Sequence, residues 1–298
     1  MMINLRYGVA GLFNLKMNRV IFILFLLVLS FNKTYSQDKN FHIYICFGQS
    51  NMEGNAKFEP QDTVAPGQRF QVLEAVDCPD LNRKKGHWYP AVPPLTRCYT
   101  GLTPADYFGK TMIANTPREV SIGVINVAVG GCKIELFDKD NYKSYVATAP
   151  DWMINTINAY DGNPYHRLVE MAKLAQKEGV IKGILLHQGE SNNNDTLWTK
   201  KVKVVYDHLL KDLNLKSNTV PLLAGELVGE DQGGACAGMN KIIAKLPLTI
   251  PTAYVISSRG CEGVADKLHF SAAGYRKLGK RYAAKMLSLQ GYANINPE

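Results

Sequence analysis

Apolar runs alternate with amphipathic segments along most of the chain. Five runs are largely apolar and rich in Val, Ile and Leu, which is typical of strands buried on both faces of a sheet. They span residues 43–47, 120–129, 180–186, 220–227 and 252–257. Apolar residues recur at helical spacing in five other segments, residues 103–115, 163–178, 197–213, 235–246 and 271–289. This alternation predicts a mostly parallel sheet with helices on both faces, a three-layer α/β/α sandwich.

Two long segments, residues 55–100 and 138–162, show neither a strand period nor a helical period. We expect both to be ordered loop insertions over the edge of the sheet, because long irregular segments of compact domains are usually functional or disordered. Their aromatic residues either form a flat surface for sugars or merely cover the sheet. These aromatic residues are Trp88, Tyr89, Tyr142, Tyr145, Trp152 and Tyr160.

The first 36 residues have the pattern of a secretory signal. Arg19 precedes an apolar core at residues 20–31, and a short polar stretch leads to Ser36. A membrane anchor is the alternative, but this core is short for a span of roughly 20 residues. We therefore expect cleavage near Ser36, a secreted or periplasmic protein, and one domain over residues 37–298. Met17 is an alternative start of translation.

Charge and composition exclude several classes of partner. The formal net charge of the 298 residues is +8, and four of the positive charges lie before residue 37. The remaining +4 is mild, and no basic run alternates with aromatic residues, so nucleic acid is not an expected partner. No stable insertion into a membrane is expected after cleavage. The 46% hydrophobic content is sufficient for a full core.

The six cysteines can pair in an oxidising compartment. Cys78 and Cys98 flank one loop-rich segment, and Cys236 and Cys261 flank another, so these are the two candidate disulfides. Cys46, inside the first predicted strand, is expected to remain a buried thiol, and Cys132 is also expected to stay unpaired. No Cys/His cluster has the spacing of a zinc site, so we expect neither a metal nor another cofactor.

The first apolar run leads directly into the turn Gly48-Gln49-Ser50-Asn51. Such a turn holds Ser50 at the carboxyl edge of the sheet, where α/β proteins place their sites. A serine there can be a nucleophile if a base reaches its hydroxyl. The competing interpretation is that Ser50 only caps a following helix.

A base and its orienting acid are available just before the last helix. His269 can take the proton from Ser50, and Asp266, three residues earlier, can hold the imidazole in one tautomer. Alternatively, Asp266 is a helix cap and His269 is solvated. His187, at the end of a buried strand, is a rival base, although histidines in such positions are more often packed residues.

Donors for an oxyanion are expected after two other strands. The Gly130 and Gly131 amides can approach a ligand closely because glycine has no side chain. Gln188 or Asn192 can add a side-chain amide, whereas the negative Glu190 suits a role in shaping its loop. The residues assigned to oxyanion or substrate binding are Gln49, Asn51, Gly130, Gly131, Gln188, Glu190 and Asn192.

Four motifs together resemble those of the SGNH hydrolases, and more narrowly the sialate O-acetylesterase-type domain shared with family 6 carbohydrate esterases, which include acetyl xylan esterases. They are GQSNM at 48–52, GG at 130–131, HQGESN at 187–192 and DKLHFS at 266–271. The resemblance implies a flavodoxin-like α/β/α fold and metal-free deacetylation. It assigns the nucleophile to Ser50, the acid–base to His269 and the orienting acid to Asp266. It also suggests oxyanion donors from the Ser50 amide, the Gly130-Gly131 turn and Gln188.

One departure from the SGNH pattern concerns the third donor. The usual Gly-x-Asn of that superfamily is replaced by the sequence from Gln188 to Ser191. We expect an exported serine esterase that removes O-acetyl groups from carbohydrate, such as acetylated xylan. The alternatives are a sialic acid O-acetylesterase and a non-catalytic carbohydrate-binding protein on the same fold.

Overall fold

The computed structural model describes residues 37–292 and 295–297, so the predicted signal segment lies outside the described residues. One seven-stranded sheet organises the described chain, in the order β3-β2-β4-β1-β5-β6-β7. The strands are β1 (Asp38–Gly48), β2 (Phe70–Leu73), β3 (Trp88–Pro90), β4 (Ser121–Ala128), β5 (Gly179–His187), β6 (Leu222–Gly225) and β7 (Ala253–Ile256). All neighbouring strands run parallel except β2 and β3, which are antiparallel. The expected mostly parallel sheet is confirmed.

Four helices of eleven or more residues cover the sheet, and shorter helices lie in the loops. The helices are α1 (Ser50–Glu53), α2 (Pro104–Ala114), α3 (Tyr142–Val146), α4 (Asp151–Asn158), α5 (Pro164–Ala175), α6 (Trp198–Asp212), α7 (Asn240–Ile243), α8 (Leu246–Thr249) and α9 (Ala272–Leu289). Short 3₁₀ turns occur at Pro79–Leu81, Ile134–Phe137, Glu190–Asn192, Glu230–Gln232 and Ala237–Met239.

Alternate residues of β1 face two separate hydrophobic cores, as strand geometry requires. Ile43, Ile45 and Phe47 pack beneath α4, α5 and α6. Tyr44 and Cys46 pack on the other side, beneath α2 and α9. Because both faces are covered, β1 is apolar without interruption from Ile43 to Phe47 and shows no alternation of apolar and polar residues there.

The irregular segment 55–100 contributes more to the sheet than the sequence indicates. It contains β2, which pairs with β4, and β3, which closes that edge in antiparallel orientation. The expectation of an insertion without strands is therefore wrong. Strands of three or four residues are too short to establish a period, and Pro90 ends β3 after three residues.

Three further segments differ from the sequence interpretation. The segment 138–162 contains α3 and α4 instead of being irregular. Conversely, the single helix expected at 235–246 is broken into a 3₁₀ turn followed by α7 and α8. The helix expected to reach residue 178 ends at Ala175, and Gly179 begins β5.

One of the two candidate disulfides is formed. Cys78 and Cys98 are bonded and tie two loops of the first insertion together. No disulfide joins Cys236 and Cys261, and the sheet explains why. Cys236 packs against the core beneath α4–α6, whereas Cys261 belongs to the core on the opposite side. Cys46 and Cys132 are buried thiols, as expected.

Candidate active site

Ser50 lies where β1 ends, half-buried, as the first residue of the short helix α1. The chain turns sharply there because Gly48 has φ of +150°, and a Cβ at that position would lie 2.0 Å from the carbonyl oxygen of His187. The Gln49 amide donates to the same carbonyl at 3.0 Å, which fixes the turn against β5. The Ser50 hydroxyl is thereby held at the carboxyl edge of the sheet.

The loop between β7 and α9 brings the predicted acid and base to Ser50. His269 Nε2 lies 2.8 Å from Ser50 Oγ, and His269 Nδ1 lies 2.7 Å from Asp266 Oδ2. The cap of α9 is Ser271, whose hydroxyl accepts a hydrogen bond from the Gly274 amide. The alternative that Asp266 caps this helix is therefore wrong. The three side chains form the hydrogen-bonded series that a general base and its orienting acid require.

Asp266 is held in a form suited to orienting an imidazole. Partial burial alone would raise its pKa, but hydrogen bonds from the His269 ring and from the Leu268 and His269 amides outweigh burial and lower the pKa. The carboxylate is therefore charged at neutral pH. An ionised acceptor on Nδ1 favours the tautomer in which Nε2 faces Ser50 without a proton.

The two glycines after β4 do not contribute equally to an oxyanion site. The Gly130 amide donates to Glu53 Oε1 at 3.1 Å, so the carboxylate occupies the donor that the sequence interpretation assigned to the oxyanion. The Gly131 and Ser50 amides have no hydrogen-bond acceptor within residues 37–292. They are the backbone donors that remain available for a negatively charged oxygen.

Gln188 and Asn192 lie behind the site and form part of its scaffold. The side-chain amide of buried Gln188 faces three acceptors, Gln49 Oε1, Asn192 Oδ1 and Cys132 O, and Trp198 donates to its oxygen. The Asn192 amide is directed at Glu135 and Asp195. Because an amide nitrogen has two hydrogens, the structure does not support either side chain as a direct oxyanion donor.

Gln49 supports the loop after β5 from within the turn that carries Ser50. Its side-chain oxygen accepts hydrogen bonds from the Gln188 amide at 3.1 Å and from the backbone amides of Gly189 and Ser191 at 3.3 Å each. Among the described residues its Nε2 has no acceptor. Gln49 therefore fixes the position of this loop through its side-chain oxygen. Its side-chain nitrogen is still able to donate a hydrogen bond.

Asn51 connects three strand ends. Its side-chain nitrogen donates to Glu190 Oε1 at 2.5 Å and to the Leu268 carbonyl at 2.9 Å. Its oxygen accepts from the Phe270 amide at 3.3 Å and from the Tyr275 hydroxyl at 2.6 Å. This bond ties the Glu190 loop to the Ser50 turn, and both ends of the Asn51 side chain are engaged by protein groups.

His187 is not placed as a base for Ser50. Its Nε2 lies 3.0 Å from the Glu226 carbonyl, and its ring packs edge-on against Phe270. Full burial lowers its pKa, although the nearby Glu190 partly opposes the shift. His187 is a packed residue beneath the site, as its position at the end of a buried strand indicated.

The aromatic residues of the insertions have different environments. Trp152 is 58% exposed and its ring lies against Gly131, beside the site. Trp88 instead packs on Phe41, at the opposite end of β1, and donates to Glu178. At roughly 3.3 Å per residue, that end of β1 is about 20 Å from Ser50.

The remaining aromatic side chains are mostly engaged in structure. Tyr160 is buried, and the Tyr145 hydroxyl accepts a hydrogen bond from the Lys133 amide. Tyr89 accepts one from the Lys84 amide. Among the five of these residues whose contacts are described above, Trp152 is the exposed one that lies beside the site.

Glu53 and Arg97 were not identified from the sequence as site residues. Their side chains form an ion pair at 2.7 Å, and each is 16% exposed. A Cβ at Gly130 would lie 2.7 Å from Glu53 Oε2 and 3.8 Å from Ser50 Cβ, so the pair is adjacent to the nucleophile position. The three-residue spacing from Ser50 to Glu53 on one helical turn is a local signal. Arg97 lies in an irregular loop and gives none.

A group of side chains that could hold a cation lies elsewhere. Ligand atoms of Asp138, Asp140 and His208 are within 4.8 Å of one another. Asp140 pairs with His208 at 3.4 Å, and Asp138 accepts hydrogen bonds from the Asp140 amide and the Asn141 side chain. These contacts account for the cluster as a carboxylate–imidazole contact beside a local turn. The metal-free reaction remains an expectation.

Comparison with known families agrees with the motifs. A family model described as "Carbohydrate esterase, sialic acid-specific acetylesterase" matches residues 40–288. The chain therefore belongs to this family of carbohydrate esterases, and the predicted resemblance is confirmed. It is a carboxylic ester hydrolase. Its membership of this family supports hydrolysis of O-acetyl groups on carbohydrates as its type of reaction. The alternative of a non-catalytic binding protein is not supported.

Solved structures of low sequence identity share the fold. A protein from Arabidopsis thaliana is 22% identical, with a TM-score of 0.64 over 84% of this chain and 99% of that one. NanS is 13% identical, with a TM-score of 0.61 over 86% and 99% of the two chains. A carbohydrate acetylesterase from Xanthomonas citri is 19% identical, with a TM-score of 0.58 over 83% of this chain and 56% of that one.

Proposed function

We propose that the chain is a serine esterase whose catalytic residues are Ser50, His269 and Asp266 and whose substrate is an O-acetylated carbohydrate. The observation that carries this proposal is the continuous series from Ser50 Oγ through the His269 ring to the Asp266 carboxylate, with contacts of 2.8 and 2.7 Å. Nucleophile, base and orienting acid are therefore within hydrogen-bond reach of one another.

The geometry supports a two-step acyl transfer. Ser50 Oγ attacks the acetyl carbonyl carbon while His269 Nε2 takes its proton. The Ser50 and Gly131 amides, the donors that remain available, stabilise the oxyanion of the tetrahedral intermediate. His269 then returns the proton to the sugar oxygen, which leaves, and the acetyl group stays on Ser50. A water molecule activated by His269 hydrolyses this ester and restores the free serine.

For the substrate, we propose an acetylated neutral polysaccharide such as xylan. The Arg97 guanidinium beside the site is already paired with Glu53, so it is not available as a single unpaired cation for an acidic sugar. A sialic acid O-acetylesterase is the second candidate, because the matching family model is described by that activity.

The choice of substrate is tested by measuring acetate release from acetylated xylan, O-acetylated sialic acids and acetylated pectin at equal acetyl concentration. We expect the highest kcat/KM on acetylated xylan. A higher value on the sialic acids would favour the second candidate. If 4-nitrophenyl acetate were hydrolysed but none of the three carbohydrates, the proposed substrate class would be wrong.

We also propose that the protein is exported, on the sequence of residues 19–36 alone. Among the described residues, no helix combines the length and the apolar character that crossing a membrane requires. Export predicts that the protein recovered from the producing cell begins at or near Gln37. The check is N-terminal sequencing, and an intact Met1 or Met17 terminus in the cytoplasmic fraction would contradict it.

A further inference from the structure

A groove next to the proposed catalytic serine is unexplained by the reaction itself. It lies between residues 54–58 and 97–101, with Glu53 at the end nearest Ser50. Its volume of about 730 Å³ is in the roughly 300–1,000 Å³ range of small-molecule sites. An acetyl group needs only a small part of that space. The groove therefore has room for what carries the acetyl group.

The walls of the groove are held together by their backbones. The Gly101 amide donates to the Gly54 carbonyl and the Leu102 amide to the Ala56 carbonyl, both at 2.7 Å. This close approach needs a glycine, since a Cβ at Gly101 would lie 2.2 Å from the Ala56 carbonyl oxygen. The Cys78–Cys98 disulfide fixes the second wall further. The groove is therefore preformed.

Two aromatic side chains on these walls are exposed to an unusual degree. Tyr99 is 88% exposed and Phe58 is 39% exposed. The Tyr99 hydroxyl bonds to Asp80, which restricts the ring although it contacts solvent. Tyr99 also has φ of +69°, which is uncommon for a bulky residue and costs backbone energy. An exposed ring maintained at this cost indicates a role outside the core.

Among the charged side chains of the groove, Arg97 and Glu53 are paired with each other, whereas Lys57 is exposed. Arg97 and Glu53 neutralise each other, and Arg97 donates further to the Ala128 carbonyl. The exposed groups left for binding are flat rings, the amide of Asn55 and the ammonium group of Lys57, which can donate hydrogen bonds to sugar hydroxyls. Rings that bury large apolar area beside hydrogen-bonding groups match a sugar ring, with its apolar face and polar rim.

We propose that this groove binds the sugar units next to the acetylated one, with Phe58 and Tyr99 as the surfaces on which they lie. This inference rests on the proposed function, because it takes Ser50 as the point of attack. It assigns recognition of chain length to the first insertion. Trp152, against Gly131, lies beside the acetyl position and is separate from this groove.

The test compares three probes: acetylated xylotetraose, acetylated xylose and 4-nitrophenyl acetate. We expect the wild-type kcat/KM to be at least about 10-fold higher on the tetramer than on the monomer. Tyr99→Gly, which relieves the positive φ, and Phe58→Ala should each remove most of that difference. Both variants should keep wild-type turnover of 4-nitrophenyl acetate, which offers no sugar.

Two matched controls separate sugar binding from folding. Tyr99→Phe keeps the ring and should keep the preference for the tetramer. Leu248→Ala removes another exposed apolar side chain, on α8 and 85% exposed, and should change nothing. Equal wild-type activity on tetramer and monomer would overturn the groove proposal and leave the esterase proposal intact. Hydrolysis of 4-nitrophenyl acetate alone would overturn both the groove proposal and the proposed xylan substrate, whereas no hydrolysis of any of the three probes would overturn the esterase proposal.

Discussion

Replacing Ser50 with Ala should lower kcat on 4-nitrophenyl acetate by on the order of 10⁴–10⁶-fold, and His269→Ala should have a similar effect. A nucleophile and its base act as one unit, so the loss of either one removes the covalent pathway. The two side chains are 2.8 Å apart at the surface of the sheet edge, not in the core. Circular dichroism and Tm should therefore stay close to wild type, and steady-state kinetics gives the loss.

A substitution of the orienting acid, Asp266, provides a comparison for the loss of kcat in these two variants. Asp266→Asn should cost as much as or less than the other two substitutions, because the amide still reaches His269 Nδ1 but no longer selects the tautomer. The double variant Ser50→Ala/His269→Ala should be no worse than either single variant. Wild-type turnover by a folded Ser50→Ala variant would show that the assigned mechanism is wrong.

Features of the fold that depend on local patterns could be predicted from the sequence. The strand β1 is an apolar run that ends in Gly48, and α2 begins with Pro104 after its cap, Thr103. Both signals lie within a few residues of the feature that they predict. The strands β2 and β3 leave no such signal, because each is short and its stability comes from pairing with β4 or with each other.

The same distinction applies to the site. Parallel strands place their carboxyl ends on one edge, so the convergence of Ser50 with His269 follows from the order of the elements. Where a side chain points does not follow from that order. Gln188 turns away from the site because the Trp198 indole and the Gln49 oxygen bind its amide. Such contacts join segments that are distant in the sequence, so no spacing could reveal them.

Asn51→Ala is the substitution for which we expect the largest combined loss of stability and activity. The side chain is fully buried and has four partners, Glu190, Leu268, Phe270 and Tyr275. Each buried polar group left without a partner costs about 1–3 kcal/mol. Some of these polar groups will find new hydrogen bonds, because the surrounding side chains relax and water can enter the space left by the amide. We therefore expect the free energy of unfolding to fall by about 3–5 kcal/mol, which urea denaturation would measure.

Activity should fall with Asn51→Ala even in the fraction that remains folded. Asn51 follows Ser50 directly, and the Leu268 carbonyl that it binds belongs to the residue before His269. Misplacement of a catalytic group by about 1 Å can cost on the order of 10² in rate. Single-turnover measurements per folded molecule should show a loss of at least that size. The matched control is Asn193→Ala, because Asn193 is an exposed asparagine in the loop after β5. This substitution should leave both the stability and the activity unchanged.

Asn51→Asp distinguishes the role of the donor from that of side-chain volume. This isostere replaces the amide nitrogen, which lies 2.5 Å from Glu190 Oε1, with an oxygen, so two carboxyl groups face each other. At neutral pH their repulsion should destabilise the fold about as much as Asn51→Ala does. As the pH falls, protonation of the introduced carboxyl restores a donor, so the difference in unfolding free energy from wild type should shrink. If that difference were constant from pH 8 to pH 5, the Asn51–Glu190 hydrogen bond would not be the source of the stability.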